Sequence, residues 1–373
     1  MSNIDKYRGC LIGGAAGDAL GYAVEFSREE QIAARYGAGG IRDYQLDDRG
    51  LAPFSDDTQM TLYTANGLLH ALTRGRLRGI LGPLRDYVSG FYVEWSRTQT
   101  EPYPLADHSA WISALPELFV PRAPGATCLS ACAVGAHGTP EEPINDSKGC
   151  GGIMRVAPAG LLAGPRGADG AAVQRLGAQL AALTHGHELG WLPAGVFAHI
   201  VSALAHGEAD SVRGAAEQAL AVLPEAHPGA RRVGELQELM RFTLRLADGT
   251  APDVEAIHQL GEGWVAEEAL AIALLCVLRH EDDFEGTVVS AVNHSGDSDS
   301  TGAIAGNIVG ARLGLAGIPR RYVERLELAD VVLALADDLF TGCPITEYCP
   351  SADGVWEHKY LPPADYVEWE RGR

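Results

Sequence analysis

Apolar positions recur at the three-to-four residue spacing of a helix along most of this chain, and the two-residue alternation of a half-buried strand is scarce. The pattern predicts helices over 56–72, 171–183, 192–206, 212–223, 233–247, 267–279 and 284–292, separated by Gly, Pro and charged turns. In the first of these, Met60, Tyr63, Gly67, Leu68 and Ala71 share a face, and Ser55 or Asp56 is placed to cap it. Between Thr98 and Ser147 the pattern fails. Pro102, Pro104, Pro121, Pro124, Pro140 and Pro143 predict irregular chain around one short helix near 111–118. Irregular chain of that length inside a compact domain usually builds a site or a lid. Pro344, Pro350, Pro362 and Pro363 among Trp356, Tyr360, Tyr366 and Trp369 predict an extended tail over 343–373, pinned by aromatics onto the core or another subunit. No boundary divides the chain, so 1–373 is expected to form a single domain.

A second periodicity lies in the glycines. Gly9, Gly13, Gly17 and Gly21 fall four apart in the segment 6–25, and Gly302, Gly306, Gly310 and Gly314 repeat the spacing late in the chain. Each Gly inside a helix costs about 0.5 to 1 kcal/mol relative to Ala. Four in register therefore imply helices whose backbones approach a neighbour or a ligand closely, deep in the molecule. The flanks are polar, which argues against a membrane setting for such a stripe.

Composition sharpens the fold. The chain is 46% hydrophobic, enough for a substantial core, but only 7% aromatic, and it is rich in Ala, Leu and Gly. An all-α fold is expected. The formal net charge of −20 opposes phosphate backbones and anionic membranes, so no general nucleic-acid binding is expected. Seven cysteines, Cys10, Cys128, Cys132, Cys150, Cys276, Cys343 and Cys349, form no CxxC pair and suit a reducing compartment. No run of about 18 apolar residues and no secretion-type leader are seen, so the expected location is cytoplasmic, away from membranes.

Two acidic, hydroxyl-bearing clusters carry the chemistry: Ser55-Asp56-Asp57-Thr58 and, about 240 residues later, Asp297-Ser298-Asp299-Ser300-Thr301. Either cluster alone can be a helix cap, since carboxylates and hydroxyls suit a helix N-terminus. Together they offer the oxygen donors that Mg²⁺ or Mn²⁺ prefers. The second cluster is not an EF-hand loop, because its twelfth position is Ile308 where a bidentate Glu is needed. It also lacks the preceding apolar strand of a DxDxT phosphatase. A glycine-rich turn, Asn145 to Arg155, can bring backbone N–H groups to a phosphate, although no Gly-Lys-Ser/Thr makes it a P-loop. Thr184-His185-Gly186-His187 follows a helix, where His serves either as ligand or as partner of the last carbonyls.

These pieces, in this order, resemble the ADP-ribosylglycohydrolase family. The resemblance runs through Gly9 to Gly13, Asp18 to Gly21, Glu25, Ser55 to Thr58, Arg122 to Thr127, Asn145 to Pro158, Thr184 to His187, Gly263 to Ala269 and Gly296 to Gly302. It implies a compact all-α orthogonal bundle with two Mg²⁺ or Mn²⁺ ions at its centre beneath an ADP-ribose cleft. Carried over by position, Ser55, Asp56, Asp57 and Asp299 would ligate one ion and Asp297, Asp299 and Ser300 the other, with Asp299 bridging and Glu25 able to reach the second. The family usually has Thr where Ser55 and Ser300 stand; both keep the hydroxyl. Asp56, Glu25 and Asp299 are the expected catalytic residues. Gly149, Gly151, Gly152 and Met154 would wrap the diphosphate, and His185 would contact the distal ribose or phosphate. Trp264 is open between an adenine platform and a core residue. Some members use an acid in a segment that here reads Gln99 to Pro104, which leaves Glu101 or Asp107 for that role, if it exists. The implied reaction releases ADP-ribose from an ADP-ribosylated protein or small conjugate, from arginine in the first instance. Serine-linked conjugates, or a low-activity ADP-ribose binder, are the alternatives, and a monomer is expected.

Overall fold

The computed structural model describes residues 3–162, 169–345 and 354–361. Among the described residues seventeen α-helices run in the order α1 (Asn3–Tyr22), α2 (Glu29–Tyr36), α3 (Asp56–Arg78), α4 (Leu84–Thr98), α5 (Ala126–Ala133), α6 (Ala157–Leu162), α7 (Gly170–Ala182) and α8 (Glu188–His206). They continue with α9 (Val212–Ala226), α10 (Val233–Ala247), α11 (Asp253–Ile257), α12 (Ala266–Arg279), α13 (Phe284–Val292), α14 (Ser298–Leu313), α15 (Arg320–Glu324), α16 (Ala329–Thr341) and α17 (Gly354–Tyr360). Among the described residues the only β pairings are two isolated bridges, Ala52 with Leu326 and Gly149 with Val265. The all-α expectation holds.

The glycine stripes explain the centre. A Cβ added at Gly13 would stand 2.3 Å from the carbonyl oxygen of Gly306, and one added at Gly306 would stand 2.0 Å from that of Gly13. Only two hydrogens fit between these backbones. The same facing continues as Gly9 with Gly310, Gly17 with Gly302 and Gly21 with Ser298, so α1 and α14 run antiparallel in close contact. Their register puts the N-terminus of α14 against the C-terminus of α1. That is the step by which two distant acidic stretches come together.

Helix α8 passes through the core. It is long and apolar enough to cross a membrane on length and composition, but 94% of that window is buried within the protein. Around it the predicted helices 233–247 and 284–292 are found as read, and the others shift at their ends. Helix α3 runs past residue 72 to Arg78, where the apolar face fades into Arg74, Arg76 and Arg78 and Gly79 closes the helix in the left-handed region.

Two expectations are corrected. The short helix near 111–118 is a pair of 3₁₀ turns, Trp111–Ala114 and Pro116–Phe119, interrupted at Leu115 because Pro116 lacks the N–H to continue the first. The segment after them also contains α5, with Cys128, Ala131 and Cys132 packed inward. The tail is not extended throughout: 354–360 is helical, with Trp356 and Tyr360 buried. Trp356 donates its Nε1–H to Thr73 Oγ1 at 2.9 Å. Cys349, Pro350, Pro362, Pro363, Tyr366 and Trp369 lie outside the described residues.

Candidate active site

Five carboxylates converge where α1 ends and α3 and α14 begin. Asp56, Asp57, Asp297 and Asp299 are at most 4% exposed and Glu25 is 7% exposed, although none lies in an ion pair among the described residues. Burying unpaired carboxylates is costly unless something else binds them. The helix N-termini help. Ser55 caps α3 by accepting the N–H of Asp57 at 3.2 Å, and Asp297 caps α14 by accepting that of Ser300 through Oδ1 at 3.3 Å. Both helices therefore turn the positive ends of their dipoles toward the cluster.

Neighbouring segments fix the parts. Asp18 of α1 accepts the N–H of Ser55 on Oδ1 and that of Thr58 on Oδ2, both at 2.9 Å. The loop before α5 adds two bonds to Asp56, whose N–H donates to Arg122 O at 3.1 Å and whose Oδ2 accepts from Gly125 N at 3.2 Å. Ala123, between them, lies at φ +54°, a strained backbone for a residue with a Cβ. Arg122 donates to the carbonyl of Phe54 at 3.0 Å and to buried Glu327, which also takes Arg49. Asp18, Arg122 and Glu327 support the site without having been predicted in it.

Burial and then charge crowding set the electrostatics. Burial, followed by the charge of Asp299, raises Asp56, Asp57 and Asp297 well above the ordinary carboxylate range. The same two causes push Asp18 up to about 7 and Glu25 up to about 10. Asp299 is thus the leading charged neighbour of the other five carboxylates. Two oxygens, Asp57 Oδ2 and Glu25 Oε2, are buried with no hydrogen-bond partner. Oxygen donors, hydroxyls from Ser55 and Ser300, uncountered negative charge and orphaned carboxylate oxygens fit hard divalent cations. As placed, no three His, Cys, Asp or Glu side chains among the described residues already close on one point, so the cluster gathers the donors without forming a finished coordination sphere.

The cluster floors a cleft of about 280 Å³, whose other wall is the glycine turn with Cys128, Met154 and His185. The turn is tied down from outside: Cys150 N donates to Trp264 O at 3.2 Å and Ala266 N to Lys148 O at 2.9 Å. A Cβ on Gly151 would meet Cys128 Sγ at 2.8 Å and His185 Cε1 at 3.1 Å, so a larger residue here would push both side chains aside. Burial, aided by Arg155, lowers His185 to about 3, so its ring is neutral. Arg155, fully buried over the Tyr92 ring, donates to Thr184 Oγ1 at 2.5 Å, and that hydroxyl stands 2.8 Å from His185 Nδ1. With the Thr184 hydrogen on Nδ1, His185 keeps its own hydrogen on Nε2, beside Gly149. His187 is used otherwise: its Nδ1 caps α8 by accepting Leu189 N at 3.0 Å.

Trp264 is no core residue. It is 39% exposed and stacks on Phe26, itself 75% exposed, with ring centroids 6.0 Å apart at 17°. The pair stands between the cleft and a larger cavity of about 540 Å³ that shares Glu25, Phe26 and Trp264 with it and is further lined by Arg28, Glu30 and Glu262. Glu101 and Asp107 are elsewhere, both paired with Arg97 on the surface, and neither lines the cleft. All the other predicted site residues except Ser55 and Gly152 line the cleft, and those two flank it as the cap of α3 and the end of the glycine turn.

Comparison with known proteins identifies the family and the fold. Residues 1–347 match the family described as ADP-ribosylglycohydrolase. The chain is 26% identical over 368 residues to the ADP-ribosylhydrolase ARH3 of Danio rerio, an alignment covering 90% of this chain and 89% of that one. It is 24% identical over 352 residues to the ADP-ribosyl-[dinitrogen reductase] glycohydrolase of Rhodospirillum rubrum, covering 89% and 97%. A solved structure described as an ADP-ribosylglycohydrolase-related protein complex shares the fold with a TM-score of 0.60 and 26% identity, over 91% of this chain and 99% of that one.

Proposed function

Because the chain belongs to the ADP-ribosylglycohydrolase family, a family of hydrolases of ADP-ribose conjugates, we propose that it cleaves the bond at ribose C1″ of ADP-ribosylated arginine and releases ADP-ribose. The observation that carries this reading is the set of five buried, unpaired carboxylates on the floor of a cleft walled by a glycine turn. Two Mg²⁺ or Mn²⁺ ions would be held by Ser55, Asp56, Asp57 and Asp299, and by Asp297, Asp299 and Ser300, with Glu25 in reach. When bound they would supply Lewis acidity and a template for the ribose hydroxyls and a water.

The chain's own groups do the rest. Backbone N–H groups of Gly151 and Gly152 in the glycine turn and the Nε2–H of His185 bind the diphosphate side, and Trp264 with Phe26 offers a flat face to the adenine. Burial, followed by the charges of Asp299, Asp297 and Asp56, raises Glu25 above the ordinary carboxylate range, which supports Glu25 as the group that carries a proton into the reaction. It gives that proton to the departing nitrogen as the C1″–N bond breaks, while Asp56 takes one from the water whose oxygen bonds to C1″. For the arginine assignment the support is the larger cavity beyond Glu25, where Glu30 and Glu262 present carboxylates suited to a guanidinium.

The test is incubation with arginine-linked and serine-linked ADP-ribosylated substrates in Mg²⁺, Mn²⁺ or chelator. Free ADP-ribose from the arginine conjugate, abolished by chelator, is expected. Release from the serine conjugate alone overturns the arginine assignment, and no release from either overturns the hydrolase reading.

A further inference from the structure

Hydrolysis as described makes no use of Cys150. This residue opens the 3₁₀ turn Cys150–Gly152, is half-buried and lines the cleft. Its Sγ stands 2.6 Å from Asp297 Oδ2, to which the thiol donates. The Cys150 backbone is fixed on both sides, N–H to Trp264 O at 3.2 Å and O from Ile153 N at 2.9 Å, so the sulfur is aimed into the cluster by the turn itself. Asp57, whose charge also acts on the Cys150 thiol, adds an independent sign of a missing partner: it is 3% exposed and its Oδ2 bonds to nothing.

Sulfur changes which cations this corner prefers. Mg²⁺ and Mn²⁺ take oxygen donors, whereas Zn²⁺ and softer ions gain from a thiolate. We infer that Cys150 beside Asp297, on the cleft that the unpartnered Asp57 Oδ2 also lines, makes the half of the centre assigned to Asp297, Asp299 and Ser300 a binding site for thiophilic divalent cations, Zn²⁺ or Cd²⁺, in competition with Mg²⁺ or Mn²⁺. The inference rests on the proposed metal role of these carboxylates. With Zn–S about 2.3 Å and Zn–O about 2.1 Å at a tetrahedral angle, sulfur and oxygen stand about 3.6 Å apart, so the pair has to open by about 1 Å. Rotation of two side chains supplies that. On binding, the S–H bond breaks, the S–metal bond forms and the proton leaves to solvent, with no change of oxidation state. Thiophilic ions thereby act as inhibitors of the hydrolase.

The full-length protein, stripped with chelator, is titrated with Cd²⁺ while the thiolate-to-cadmium charge-transfer absorption is recorded, beside Cys150→Ser. Expected is a band that saturates at one equivalent, fades on adding excess Mn²⁺, and is lost in Cys150→Ser. A band of equal height in the variant, or none in the parent, overturns the inference. Mn²⁺ binding, followed by its paramagnetic resonance, separates the two levels: Mn²⁺ bound without a cadmium band removes Cys150 alone, and neither signal removes the metal reading as well. Should Cys150→Ser fail to fold, alkylation of Cys150 in the parent, located by peptide mass, is slowed at least tenfold by Zn²⁺; unchanged labelling overturns the inference.

Discussion

Thr58 donates both its backbone N–H and its hydroxyl to one carboxylate oxygen of Asp18, and the other oxygen of that carboxylate takes the N–H of Ser55. A side chain of α1 thus grips the first turn of α3 and sets where Asp56 and Asp57 stand. Asp18→Ala leaves buried donors without an acceptor, each costing about 1 to 3 kcal/mol. The expected loss is about 3 kcal/mol in denaturant unfolding, with weaker Mn²⁺ binding, and Asp18→Asn should fall between parent and Asp18→Ala. Unchanged Mn²⁺ affinity in Asp18→Ala would show that this grip does not set the site.

The two acidic clusters, the glycine turn and the glycine stripes were legible in the sequence because each depends on residue types at fixed local spacing. Asp18 was visible only as part of a motif, since its role lies in backbone N–H groups some 40 residues away. Cys150 looked like one of seven scattered thiols, and its contact with Asp297 crosses 147 positions. Arg122 and Glu327 meet across 205 positions and stabilise a loop rather than touch the cleft. Helices without a strong apolar face, such as α5, and the short turn of α17 were hidden by the prolines around them, because tertiary packing rather than local pattern makes them helical.

Gly306→Ala tests the crossing of α1 and α14. Ala gains about 0.5 to 1 kcal/mol in helix propensity, yet its Cβ would lie 2.0 Å from Gly13 O, a backbone atom that cannot swing aside. Overpacking of this kind costs about 1 to 3 kcal/mol or more. A net loss of about 2 kcal/mol in chemical denaturation is expected, together with reduced activity as the N-terminus of α14 shifts. An unchanged or raised stability would show that the helices separate freely.

Asp297→Asn and Asp56→Asn remove charge from opposite halves of the centre while keeping shape. If both halves hold cations for catalysis, each variant loses more than tenfold in kcat and binds Mn²⁺ in lower stoichiometry. Because each substitution also relieves repulsion among buried carboxylates, the metal-free variants should melt above the metal-free parent. Activity within tenfold of the parent in both would contradict the two-cation assignment.

The crowded carboxylates set a pH dependence that metal reverses. Unfolded Asp and Glu titrate near pH 4, whereas folded Asp18 is raised to about 7 and Glu25 to about 10. The folded protein therefore holds more protons than the unfolded chain above about pH 4, and unfolding free energy falls as pH rises. The stability these protons contribute is complete below about pH 4 and is lost as pH climbs through the folded values. In chelator the thermal midpoint should drop steadily from pH 5 to pH 9; saturating Mn²⁺, which binds the ionised form, should flatten or invert that slope. A midpoint independent of pH in chelator would mean that the carboxylates are compensated by something other than protons or cations.

Glu25→Gln isolates the proton given to the leaving group. The amide keeps the volume in the turn that follows α1, but it cannot release a proton to the departing nitrogen. Loss of a general acid usually costs about 10² to 10⁴ in rate. The substitution should lower kcat by that order on the arginine conjugate while KM changes less than about threefold, since Gly151, Gly152, His185 and Trp264 still hold the ADP-ribose half. A conjugate whose leaving group departs without protonation should be cleaved by Glu25→Gln at nearly the parent rate. If both conjugates slow alike, Glu25 acts by positioning the ribose or a cation, and the proton must come from another group.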